Sequence, residues 1–370
     1  MRVALVHDWL TGMRGGEKVL EVLCDIYPDA DLFTLVHEPG SVSPVIERRR
    51  IITSVLQRVP FARRRYRHFL PFFPALIEQF DLDGYDLVIS SSHCAAKAVV
   101  PPGRAPHISY CHSPMRYAWD QFEAYFGIDR VGMAANRWFY RPVLERLARW
   151  DAATATRVNR FVANSRHVAG RIHRYYDRDS TIVYPPVDTV FYQPDGTVPG
   201  DHFLVVSALV PYKRLDLAIE ATGRAGARLR IVGDGPERSR LEQLGARHVE
   251  FLGRLPDEAV RDEYGRAAAV LQTAEEDFGI VPLEAQACGR PVVALGRGGA
   301  LETIVDGETG VLVPDTTVDA WTSGLERVRT LHMDPARARW NAELFSRERC
   351  LEQMKRVIDD TLATEPGARW

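Results

Sequence analysis

Short apolar runs recur along this chain, and each ends in a polar or glycine-bearing turn before a helical pattern begins. In the first half they are Arg2 to His7, Asp86 to Ser91, His107 to Tyr110, Phe161 to Ala163 and Thr181 to Tyr184. In the second they are His202 to Ser207, Leu229 to Val232, Glu250 to Leu252, Ala267 to Leu271 and Pro291 to Leu295. Brief runs that are apolar throughout, rather than alternating with polar residues, belong to strands buried on both faces. Such strands are parallel, and parallel neighbours need helical crossovers between them. The pattern predicts an α/β chain with two doubly wound parallel sheets, and 370 residues suit two domains of ordinary size.

In open α/β sheets ligands bind beyond the carboxyl ends of the strands, so the turns there are read for chemistry. The stretch Gln272 to Glu284 follows one strand and opens a helix whose first turn carries Pro282. Glu276 falls in the turn and Glu284 about one turn into the helix, around Phe278, Gly279, Ile280 and Val281. Both acids can face a ligand edge; acids at a helix start also complement the helix dipole with no ligand present. Arg2 to His7, the glycines at 12, 15 and 16, and the helix from Glu17 form a Rossmann-type opening, although not G-x-G-x-x-G. Gly15 and Gly16 there can approach a phosphate or simply serve a tight turn. His112 stands just past a strand with Pro114 beyond it, and Lys213 lies just ahead of a helix, suited to a diphosphate as a point charge.

Other features narrow the function. A formal net charge of −2 gives no bias toward nucleic acid. Five scattered cysteines without a C-x-x-C pair argue for a reducing compartment. Asp81-Leu82-Asp83-Gly84 and Asp177-Arg178-Asp179 belong to turns rather than to a cation site. The first residues form too short an apolar run for a signal peptide, and no stretch is long enough to span a bilayer. These features place the protein in the cytoplasm. Residues 47–80 are cationic and aromatic, with Arg48 to Arg50, Arg58, Arg63-Arg64-Arg65 and Arg67 among Phe61, Tyr66, Phe69, Phe72 and Phe73. Such a stretch suits the anionic inner face of the plasma membrane, or is a solvated basic face.

Glu276-x7-Glu284 with Phe278-Gly279 between, Lys213, His112 and Gly15-Gly16 resemble the family 4 retaining glycosyltransferases, closest to a bacterial mannosyltransferase-like subgroup. The resemblance implies the GT-B fold, two Rossmann-like domains facing an interdomain cleft. Residues 1–190 would form the acceptor-side domain and 201–335 the nucleotide-sugar domain. Asp188 to Asp201 reads as the linker, and residues 336–370 as a helical segment packing back on the first domain. By the same resemblance Gly15 and Gly16 lie against the donor diphosphate, and His112 helps place the donor sugar and leaving group. Lys213, with Arg214 and the amides of Gly279, Ile280 and Val281, receives the diphosphate. Glu276 contacts sugar hydroxyls and Glu284 the ribose, so that His112 and Glu276 are the catalytic residues. Arg116, Tyr117 and Asp120 face the acceptor. The chain departs from the family at Ala208, where an arginine is expected; either Arg214 or another cation substitutes, or the donor's phosphates are held less tightly.

The implied reaction moves a hexose, mannose from GDP-mannose in the first instance, to a lipid-linked glycan acceptor in bacterial cell-surface polysaccharide synthesis. The nucleotide diphosphate sugar is a co-substrate, and no cofactor or metal is expected. A UDP-sugar donor is the nearest alternative. A nucleotide-sugar 2-epimerase shares the two-domain architecture, and a non-catalytic carbohydrate- or membrane-binding protein would keep the fold without the chemistry.

Overall fold

The computed structural model describes residues 1–127, 132–245 and 247–364, without the side chains of Arg64, Ala124 and Tyr125. The chain divides into two compact units, Met1–Pro186 with the chain from Glu348 on, and Val187–Arg347.

The first unit is built on seven parallel strands: β1 Val3–His7, β2 Asp31–Thr34, β3 Ile51–Thr53, β4 Leu87–Ser92, β5 His107–Cys111, β6 Arg160–Ala163 and β7 Ser180–Ile182. Their order is β3-β2-β1-β4-β5-β6-β7, so the direction of winding reverses between β1 and β4. Alternate residues of each strand serve opposite faces. Val3 and Leu5 join one apolar cluster with helix α1 (Gly15–Ile26), while Ala4 and Val6 join another with Leu144 and Leu147 of helix α2 (Arg141–Ala153). Helix α3 (Arg166–Tyr176) covers β6, its first turn capped by the Ser165 hydroxyl, which accepts from the Val168 amide at 3.0 Å.

The second unit has six parallel strands: β8 Phe203–Val206, β9 Leu229–Val232, β10 Val249–Gly253, β11 Ala269–Gln272, β12 Val292–Leu295 and β13 Gly310–Val313. The order β10-β9-β8-β11-β12-β13 reverses between β8 and β11. Phe203 and Val205 pack with helices α4 (Leu215–Arg224) and α7 (Val318–Thr330) on one face. Leu204 and Val270 pack with helices α5 (Asp257–Arg266) and α6 (Ile280–Ala287) on the other.

The stretch 188–201, read as a linker for its prolines and glycines, is packed on the second unit. Tyr192 is buried in its core, and Arg339 donates to the Tyr192 and Thr189 carbonyls at 3.3 and 3.2 Å. The stretch lacks periodicity because its backbone is satisfied piecemeal, by Arg339, by its own Asp188 and Asp195 and by the Arg266 carbonyl, rather than by a ladder. The C-terminal segment is divided between the units. Helix α8 (Pro335–Glu343) packs on α6 in the second, where Asn341 Nδ2 donates to Gln286 Oε1 at 2.7 Å. Helix α9 (Arg347–Thr364) places Cys350, Met354, Val357 and Ile358 in the first unit's core. Residues 365–370 of that segment lie outside the described residues.

Candidate functional site

In each unit the chemistry-bearing side chains gather where the strand order reverses. Two crossovers leave in opposite directions there, which opens a crevice beyond the strand ends. In the second unit, β8 runs into a single helical turn, Pro211–Lys213, and β11 into the turn Thr273 to Gly279. The Thr273 hydroxyl donates to the Lys213 carbonyl at 2.6 Å and so ties the two loops together. The Lys213 ammonium is paired with the Glu276 carboxylate, both groups about four-fifths buried. Around them is a cavity of about 160 Å³ whose polar lining includes Ser207, Lys213, Gln272, Thr273 and Glu276, with Gly279, Ile280 and Val281 at the start of α6.

Gly279 opens α6 with φ +88, a left-handed conformation that side chains with a Cβ avoid. A Cβ there would lie 2.9 Å from Gln272 Nε2. Neither α6 nor α1 carries a side-chain cap among the described residues, whereas α3 and α7 are capped by Ser165 and Thr317. The first amides of α6 and α1, each opening beside one of these strand ends, are those an anion could take. The loop after β12 braces the turn from behind. The Gly299 amide donates to the Glu276 carbonyl at 2.8 Å, and a Cβ on Gly299 would fall 2.1 Å from the Phe278 carbonyl oxygen. Phe278 is buried, its ring 5.7 Å from that of Phe345. Glu284 accepts from the hydroxyl of the fully buried Tyr264 at 2.8 Å. Burial, with the Glu284 charge beside it, holds that phenol well above its usual range. Arg214 adopts φ +51, and its guanidinium bonds Asp216 at 3.2 Å. Ala208 is exposed.

In the first unit, His112 follows β5, and its carbonyl accepts from Asn164 Nδ2 at 2.9 Å. Its Nε2 lies 2.8 Å from the Ser91 hydroxyl at the end of β4. Burial, then the neighbouring His93 and His7, push its pKa down to about 3, so the ring is neutral. Gly16 packs against it: a Cβ on Gly16 would stand 3.5 Å from both His112 Nε2 and His7 Cε1. Gly15, exposed, precedes it at the start of α1. Arg116, Tyr117 and Asp120 lie on and just beyond the short helix Arg116–Trp119. The Tyr117 hydroxyl is 2.6 Å from Cys94 Sγ, and its ring packs against the apolar cluster. The Asp120 carboxylate is engaged by Arg171 and by the Tyr175 hydroxyl.

Several residues at these edges are given no role by the sequence reading. Asp8 is buried and accepts four backbone N–H bonds, from His93, Cys94, Ala95 and Ala96 at 2.6–3.0 Å. It also pairs with His93 Nδ1 at 3.0 Å. Although burial by itself raises a carboxyl, these partners hold Asp8 far below the usual range. Gln272, Thr273 and Tyr264 are the counterparts in the second unit. The available signals were a His-Asp pair ending one apolar run, Ser-Ser-His ending another, and a glutamine closing a third.

The basic stretch 47–80 contains β3 and, from Val55 to Ile77, a series of short helical turns. Tyr66 and Phe73 turn inward onto Trp9, with ring centroids 4.8 and 6.2 Å away. Phe61 and Phe72 are 80% and 61% exposed beside the exposed Arg58, Arg63, Arg65 and Arg67; the Arg64 side chain lies outside the described residues. Among the described residues no helix is long and apolar enough to cross a membrane, and no group of three or more His, Cys, Asp or Glu could hold a metal ion.

A family model described as glycosyltransferase family 4 matches residues 14–191, and one described as glycosyl transferases group 1 matches residues 199–344. A GDP-mannose-dependent alpha-(1-6)-phosphatidylinositol monomannoside mannosyltransferase of Mycolicibacterium smegmatis is 37% identical over 183 residues, 42% of this chain and 47% of that protein. A D-inositol 3-phosphate glycosyltransferase of Geodermatophilus obscurus is 33% identical over 249 residues, 57% of this chain and 54% of that protein. The matched stretch thus spans about half the length of these curated relatives. Sucrose-phosphate synthase from Thermosynechococcus elongatus superposes with a TM-score of 0.73 at 18% identity, covering 99% of this chain and 100% of that one. Anabaena Alr3699/HepE in complex with UDP gives 0.70 at 19%, covering 97% and 100%.

Proposed function

The chain belongs to the family 4 glycosyltransferases, with the GT-B fold, and from that premise we propose that it moves a hexose from a nucleotide diphosphate sugar with retention of configuration. The observation that carries the proposal is the Lys213–Glu276 pair beside the uncapped start of α6. An ammonium and a row of amides meet the charge of a departing diphosphate. Glu276 takes sugar hydroxyls and Glu284, held by Tyr264, takes the ribose. Gly15, Gly16 and His112 keep the roles that the resemblance gives them, toward the diphosphate and the sugar. The sugar gains oxocarbenium character as the leaving group departs. Attack from the same face, assisted by the leaving phosphate, needs no covalent nucleophile. We propose transfer without a resident cation, the leaving charge being met by Lys213 and the amides.

GDP-mannose is the preferred donor, a choice supported by the GDP-mannose dependence in the name of the Mycolicibacterium relative and by the His112 to Asp120 stretch. UDP-sugars are the second reading, since Alr3699/HepE is described with UDP and with UDP-glucose. The acceptor is proposed to be a lipid-linked glycan at an anionic membrane, reached through Phe61, Phe72 and the arginines around them. The test is to incubate the purified protein separately with GDP-mannose, UDP-glucose, UDP-galactose and UDP-N-acetylglucosamine. Slow donor hydrolysis or protection against thermal unfolding by one of them identifies the donor. Release of an isomerised sugar without acceptor would instead indicate an epimerase, and no effect of any donor would indicate a binding protein.

A further inference from the structure

His112 is the end of a line of buried polar side chains that reaches back to the first helix. The Ser91 hydroxyl lies between two imidazole nitrogens, His112 Nε2 at 2.8 Å and His7 Nδ1 at 3.1 Å. The other nitrogen of His7 faces the Glu17 carboxylate at 3.6 Å. His7 and Ser91 have no exposed surface and Glu17 is 4% exposed. Strand register makes the first contact, because His7 and Ser91 are partners across β1 and β4. The first turn of α1 makes the second.

A serine has one proton to share between the two rings. Which ring receives it depends on where His7 carries its own. Burial alone would raise the Glu17 carboxyl, but His7 beside it outweighs that and holds the group below its ordinary range, ionised. A carboxylate facing His7 Nε2 keeps the proton on that nitrogen, which leaves Nδ1 as an acceptor. Ser91 then donates to His7 and accepts from His112 Nε2–H. The nearby Asp8 carboxylate does not compete, since it is occupied by His93 and four amides.

We infer that Glu17, His7 and Ser91 are positioning residues that hold His112 as its Nε2–H tautomer and so present its Nδ1 as a hydrogen-bond acceptor for a substrate hydroxyl. A phosphate oxygen is itself an acceptor and cannot use such a nitrogen. The imidazole therefore serves the sugar, which narrows the role toward sugar and leaving group that the resemblance gives it, and the diphosphate is left to Lys213 and the helix amides. This rests on the reading that His112 contacts the donor.

Long-range ¹H–¹⁵N correlation on the full chain, labelled at histidine, reads the tautomer directly. The expected result is an Nε2–H His112 in the unsubstituted protein and in Ser91→Thr, and a tautomer mixture in Ser91→Ala and Glu17→Gln. In turnover, Glu17→Gln lowers kcat about tenfold, less than the roughly hundredfold of a directly acting acid or base, and Ser91→Thr restores what Ser91→Ala loses. An Nδ1–H His112 in the unsubstituted protein, or an unchanged tautomer in Glu17→Gln, overturns the inference. Glu17→Gln keeps side-chain shape and decides the matter even if Ser91→Ala does not fold. Normal turnover by His112→Ala, whatever the tautomer, refutes the substrate role of His112 instead.

Discussion

The Lys213 ammonium and the Glu276 carboxylate form an ion pair between loops that leave neighbouring parallel strands, the first and fourth of the second sheet in chain order. Each group needs the other as a counter-charge before a ligand arrives. Lys213→Ala and Glu276→Ala are each expected to lower transfer at least about a hundredfold, roughly 2.7 kcal/mol, the scale of one electrostatic contact in a site. Because the two act as a unit, the double variant should lose little more than either single one. Steady-state kinetics with thermal unfolding as a folding control checks this, and near-normal turnover in either single variant contradicts it.

Tyr264 holds Glu284 from inside the core, donating its hydroxyl to the carboxylate at 2.8 Å. Tyr264→Phe removes one hydrogen bond and leaves the ring packing in place. The expected cost in stability is about 1.5–3 kcal/mol, the range for a hydrogen bond to a charged group. The donor KM should rise several-fold with kcat little changed, because Glu284 is assigned to the ribose and not to the reacting carbon. An unaltered KM would separate Glu284 from donor binding.

Gly299 lies directly on the backbone of Phe278, and backbone cannot move aside as a side chain can. Gly299→Ala should destabilise the second unit by about 1–3 kcal/mol, the usual range for overpacking. It should also weaken donor protection, since the turn carrying Glu276 is displaced. Chemical denaturation with and without donor measures both; full stability in this variant would mean that the two loops are not in contact.

His107 is completely buried between the Ser90 hydroxyl and the Arg157 carbonyl, at 2.8 and 3.0 Å. Burial, with the charges of Lys97 and Arg157, lowers its pKa to about 4 in spite of the carbonyl partner. In the unfolded chain a histidine titrates near 6.5. Between those values the unfolded state binds a proton that the folded state refuses, so stability is complete above about 6.5 and declines as pH falls toward 4. His107→Gln should make that decline shallower, leaving the part due to His112, whose pKa burial also lowers. An equal slope in both proteins would show that this imidazole is not the group responsible.

Phe61 and Phe72 expose most of their rings among arginines. Replacing both by serine should cut co-sedimentation with anionic phospholipid vesicles about tenfold or more, given roughly 1.5–3 kcal/mol for burying each ring. The remaining binding should fall with added salt. Unchanged vesicle binding would remove this surface from the proposed acceptor route.

Much of this molecule is local. A brief apolar run followed by a turn and a helix is complete within a window of about thirty residues, so the parallel α/β architecture is legible without knowing which strands are neighbours. For the same reason Glu276, Gly279 and Glu284 stand out, being parts of one strand–turn–helix step. What sequence patterns could not supply are the partners. Tyr66 and Phe61 look alike in a basic stretch, yet one is buried on Trp9 and the other is in solvent. The loop 188–201 looks like a spacer, but its carbonyls are taken by Arg339 of a distant helix and by Arg290, just past the turn that ends α6.

By itself, then, the sequence determined the kind of sheet, the places where ligand-facing turns occur, and the identity of the residues in them. Only tertiary structure decided that His7 meets Ser91, that Glu17 stands behind His7, and that Tyr264 holds Glu284. The physical reason is the crossover: strands that are adjacent in a parallel sheet are joined by helices or by longer excursions, so residues that share a proton or a charge lie far apart along the chain.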